Sequence, residues 1–155
     1  RMVRPPNKIK QKMGPAANPR ELLKPELVQQ GQMTIDAQRE NFLQWAQDDI
    51  VTLETVLHEI QQTPMTAQHL ERIIRSAEQL RDRGGTFGYD LMSQIAKSLV
   101  NYCATIQSPS PNHAVVVSKH IEGLTTVLHS KVEGSGGMIG IELLKGLKQL
   151  IEKFH

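Results

Sequence analysis

Aromatic residues are scarce in this chain, at 4% of its 155 residues. A core made from it must be aliphatic, which suits packed helices. There is one cysteine, Cys103. That excludes a disulfide framework within the chain and makes a reducing, cytoplasmic compartment the expectation. No apolar run approaches the ~18 residues that a membrane span needs. Sustained period-two alternation is missing too. Only Val115-Val116-Val117 has strand composition, and it lies inside a helical pattern. No signal-peptide pattern follows Arg1. A chain that opens on arginine is expected to be a domain of something longer.

What is present begins with charge. The net formal charge is +2. Residues 1–24 hold Arg1, Arg4, Lys8, Lys10, Lys12, Arg20 and Lys24 against Glu21 alone. The remainder is mildly acidic, so a basic arm precedes an acidic body. The arm also carries Pro5, Pro6, Gly14, Pro15 and Pro19, which oppose helix formation. Its charges lack interleaved aromatics, so a linker fits better than a nucleic-acid binder.

Past the arm, apolar residues recur at threes and fours. Asn18-Pro19 opens a short helical piece to about Gln30, interrupted by Pro25 and closed by Gly31. A long helix is expected over Thr34–Gln62, with Phe42, Trp45, Ala46, Ile50, Leu53, Val56 and Ile60 inward. Thr63-Pro64 ends it. Thr66 caps the next helix, which runs to about Asp82 and breaks at Gly84-Gly85. Further rods are expected over Thr86–Cys103, Asn112–Val132 and Ile139–Phe154, the last with Ile141, Leu144, Leu147, Leu150 and Ile151 inward. The fold class is therefore all-α: an antiparallel four-helix bundle over residues 34–155, with an arm and short extra helix over 1–33.

One segment is distinctive: Ala77-Glu78-Gln79-Leu80-Arg81-Asp82-Arg83-Gly84-Gly85-Thr86-Phe87-Gly88. It resembles the signature of a histidine phosphotransfer (HPt) domain, roughly Ala-His-x-Leu-Lys-Gly-x-x-Gly-x-Phe-Gly. Helix order and length are similar over residues 35–155. The resemblance implies a carrier in a two-component phosphorelay, whose imidazole projects from a helix into solvent and is covered by a receiver domain. Arg81 falls in the basic slot, Gly85 in the later glycine slot, and Phe87 where a ring would pack beneath the site.

Two residues depart from that pattern. Glu78 fills the histidine slot and Asp82 fills a glycine slot. Both add negative charge where a receiver's acidic pocket would dock. The expectation is a non-catalytic module, with no cofactor or metal, that binds a receiver or sensor kinase through Glu78, Arg75, Arg81, Asp82 and Gly85. An ordinary solvated helix face, paired Glu71–Arg75 and Glu78 with Arg75 or Arg81, explains the charges equally well.

Two alternatives stand beside it. One is true phosphotransfer through another histidine among His58, His69, His113, His120, His129 and His155. Of these, His120 sits on an apolar stripe and reads as a core residue. The other is a structural or homo-oligomeric helical module, which exposed Phe42 and Trp45 would favour. No histidine pair has i, i+4 spacing within a helix, so a metal site is not expected. Cys103 reads as a small core residue.

Overall fold

The computed structural model describes residues 25–154, with side chains from Ala37 onward. The basic arm, the helix start at Asn18-Pro19 and His155 lie outside the described residues. Five α-helices follow in order: α1 (Pro25–Gln62), α2 (Ala67–Thr86), α3 (Asp90–Ala104), α4 (Pro111–His129) and α5 (Gly137–Lys153). No strand occurs among the described residues. The chain divides into two compact units, residues 1–40 and 41–155. In the first, residues 25–40 are helical and the side chains of 37–40 are exposed. The packing and the sites described below are those of the second.

The core is aliphatic, as composition requires. Phe42, Ile50, Leu53, Ile73, Leu80, Leu91, Ile95, Leu99, Ile121 and Leu124 are almost fully buried. Each such side chain contributes about 1.5–3 kcal/mol relative to exposure. On α1 they fall at 42, 46, 50, 53, 56 and 60, a spacing that puts them on one face. α2 packs most closely on α3, α3 on α4, and α5 on both α3 and α4. The α1–α2 seam is closed by Phe42 stacked on Phe87, with ring centroids 5.3 Å apart. At its far end the Arg72 guanidinium donates to Glu59 at 2.7 Å.

α4 stops at His129 rather than Val132, and α5 starts at Gly137 rather than Ile139. Three other boundaries differ from the sequence expectation, each for a physical reason. No break separates a short helix from a long one: α1 runs through Gly31 from Pro25. Proline suits a first helical turn, and one internal glycine costs only about 1 kcal/mol. α2 does not stop at Gly84-Gly85 but continues to Thr86. Gly84 is there because α3 comes close: a Cβ on it would lie 3.3 Å from the Tyr89 carbonyl oxygen and 3.4 Å from the Ser93 nitrogen. The chain turns at Gly88, whose φ of +85° disfavours any other residue. α3 therefore starts at Asp90, not Thr86.

Two side chains expected inward face water. Trp45 is 46% exposed and Ile141 60%. On α5 only Gly140 and Leu147 are buried, and Ile141 lies one position off the line they define. Thr66 caps α2 as expected. Its partner is unexpected: the N3 residue of the capping box is His69, not Glu or Gln, and α4 repeats this with Ser110 and His113.

Candidate functional site

The signature segment lies on α2 and the turn after it. Ala77 and Leu80 point into the core, while Glu78 is exposed, one residue round the helix from Ala77. Arg75, Asp82 and Gly85 are exposed as well, and Arg81 is half-buried. Arg75, Glu78, Asp82 and Gly85 follow one another at intervals of three and four residues, so the helix gathers them on one outward strip, with Arg81 at its edge. The expected site is thus brought together in space.

Its electrostatics are largely self-contained. Arg81 Nε donates to Asp82 Oδ1 at 2.9 Å. That bond, with the charge of Glu78 behind it, raises the guanidinium above its ordinary range. The cation in the basic slot is therefore held by the acid in the glycine slot. The expected pairs Glu71–Arg75 and Glu78–Arg75 do not form: among the described residues neither Glu78 nor Arg75 has an ion pair within 4.0 Å.

The second half of the signature is occupied with the fold. Ser93 Oγ donates to the Arg81 carbonyl at 2.6 Å, and Tyr89 N–H donates to the Gly84 carbonyl at 2.8 Å. The Gly88 carbonyl accepts from Gly134 N–H at 2.7 Å, and Leu91 N–H donates to the Gly134 carbonyl at 2.8 Å. Phe87 does pack beneath this end, but the helix it engages is α1, through Phe42. Gly85 alone of the two adjacent glycines faces solvent.

Beside the strip, on the α1–α2 seam, is a cluster that sequence reasoning missed. The Arg83 guanidinium lies over the Trp45 ring, 4.9 Å from its centroid. Turned with its amide nitrogen toward α1, Gln79 donates to both Asp49 carboxylate oxygens at 2.9 and 3.2 Å. Burial pushes the Asp49 carboxyl up to about 6, against the opposing pull of Arg83. A charged residue at a half-buried helix position was the signal available for it.

The histidines divide clearly. His120 is fully buried and donates from Nδ1 to the Val116 carbonyl at 2.8 Å. Nε2 must then accept, and Ser98 Oγ supplies the proton at 2.9 Å. Burial lowers the pKa of this imidazole, which keeps it neutral. His69 Nδ1 accepts from Thr66 N–H at 3.0 Å, and His113 Nδ1 from Ser110 N–H at 3.1 Å. His69 turns Nε2 to Glu59 at 3.3 Å. Of the rest, His58 and His129 are exposed. No group of three or more His, Cys, Asp or Glu among the described residues could hold a metal ion. No helix among them is long and apolar enough to cross a membrane. The chain matches no family model, no curated protein and no solved structure.

Proposed function

We propose that this chain is an HPt-like antiparallel four-helix bundle that signals in a cytoplasmic two-component pathway by binding, not by carrying a phosphoryl group. The partner is a receiver domain or a sensor kinase, and the docking strip is the outward face of α2. The observation that carries this reading is the exposure of Glu78 with Arg75, Asp82 and Gly85 on one strip, in register with the phosphotransfer signature. The imidazole nucleophile is missing from it. Carboxylate and phosphoryl group also differ, the former with one negative charge and a planar shape, the latter with more charge and three oxygens. Glu78 is thus a fixed charge at the docking position and a poor copy of phosphohistidine. Arg81, engaged by Asp82, is not free to steady phosphoryl oxygens.

The test is Glu78→His, mixed with receiver domains labelled on aspartate by radioactive acetyl phosphate. Acid-labile label on residue 78 of the variant, and none on the parent chain, is the expected result. Label on His58 or His129 of the parent would replace this reading with true phosphotransfer. A folded Glu78→His that stays unlabelled by every receiver, and that binds no kinase, would overturn the docking role.

A further inference from the structure

We infer that the groove between α3 and α5 is a binding site for a small amphiphilic organic acid, its acidic head held by Lys97 and Lys148 and its apolar body laid against Tyr102 and Ile151. The groove has a volume of about 480 Å³, and no carboxylate lines it. That volume lies within the range of small-molecule sites, roughly 300–1,000 Å³. The two lysines come from different helices, and neither has an ion pair among the described residues. A groove with two cations and no acid in its lining selects negative charge.

The groove wall decides what kind of anion. Ser98 gives its proton to His120 Nε2, because the ring's other nitrogen is committed to the Val116 carbonyl. Tyr102 gives its proton to the Phe154 carbonyl at 3.2 Å, and Thr105 gives its own to the Tyr102 carbonyl at 2.7 Å. All three hydroxyls line the groove with their protons turned away. The wall therefore offers lone pairs, which repel a bare anion seated deep. The donors are the two ammonium groups and the Gln94 and Asn101 amides, all on exposed residues. A ligand satisfying both regions keeps its charged head at the lysines and brings carbon to the wall. The inner hydrogen bonds also fix the wall's side chains in advance, which lowers the ordering cost of binding. This site is separate from the α2 strip and does not depend on the docking proposal.

The experiment is calorimetric titration of the chain with decanoate, with decanol and with inorganic phosphate. Decanoate is expected to bind at one site, more weakly as salt rises, and decanol and phosphate to give no comparable heat. Lys97→Gln with Lys148→Gln should weaken decanoate about tenfold, the combined loss of two exposed ion pairs. Lys145→Gln, outside the lining, should leave it unchanged. Decanol equal to decanoate, phosphate binding alone, or unchanged affinity in a folded double variant would each overturn the assignment. An acidic peptide that binds where decanoate does not would do so as well, in favour of a protein partner.

Discussion

Helices α3 and α5 look alike in sequence and differ in the fold. Both carry apolar residues at threes and fours, with one lysine between them on α3 and several on α5. Yet α3 buries eight of its fifteen residues, and α5 buries two of its seventeen. The cause is position. α3 packs on α2, α4 and α5, whereas the contacts described for α5 are with α3 and α4. Met138, Ile139 and Ile141 are 72%, 73% and 60% exposed. Amphipathic spacing says which face of a helix turns inward. It does not say how many neighbours will cover that face.

The sharpest way to break this comparison is to shorten one residue on each helix. Leu99→Ala on α3 should cost about 2–5 kcal/mol, the usual cost of emptying a full core site. Ile139→Ala on α5 should change stability by less than about 0.5 kcal/mol. Urea unfolding measures both, and equal losses would mean that α5 is covered after all. A smaller effect concerns a place where α5 is held tightly. Any Cβ at Gly140 would run into the Ser135 carbonyl oxygen, whereas one at Gly146 meets nothing within 4 Å. Gly140→Ala should therefore destabilise by about 1–3 kcal/mol despite its better helix propensity. Gly146→Ala should stabilise by up to about 1 kcal/mol. Thermal melts of the pair would settle the sign at each site.

The smallest effect probes an intermediate case, the half-covered seam between α1 and α2. Asp49 titrates near 6 in the fold against an ordinary 3.8. Between those values the folded chain holds a proton that the unfolded chain has lost. The resulting stability is complete below the lower value and disappears as pH rises through the upper one. Asp49→Asn removes this dependence. The variant should be more stable than the parent at pH 7, by about 1 kcal/mol once solvent screening of this half-exposed group is allowed for. Near pH 4 the two should melt together. His120 runs the other way: its lowered pKa withdraws stability as pH falls below the ordinary 6.5, in parent and variant alike.

Much of the fold was legible because periodicity reports burial directly. The burial of His120 followed from its place on an apolar stripe. The exposure of Glu78 followed from its place beside Ala77. Gly84-Gly85 misled because glycine most often marks a helix end, and its use for close helix contact depends on a neighbour that no local pattern names. Trp45 misled because its size argued for the core, while Arg83 covers its ring from the surface. Phe42 is buried, while Trp45 keeps 46% of its surface exposed beside Arg83. The Thr66–His69 and Ser110–His113 boxes could have been found by allowing imidazole to stand for a Glu or Gln acceptor. The Arg81–Asp82 bond had no such signal, since adjacent residues on a helix do not ordinarily face each other.

Cys103 has a further consequence. It is 2% exposed, and burial pushes its thiol up to about 12. At neutral pH it is protonated and shut away from solvent, so a thiol reagent must wait for the helices to part. The lone thiol is thus a built-in clock for opening. Its labelling rate in native buffer reads the breathing of the α3 region without denaturant, dye or engineered probe.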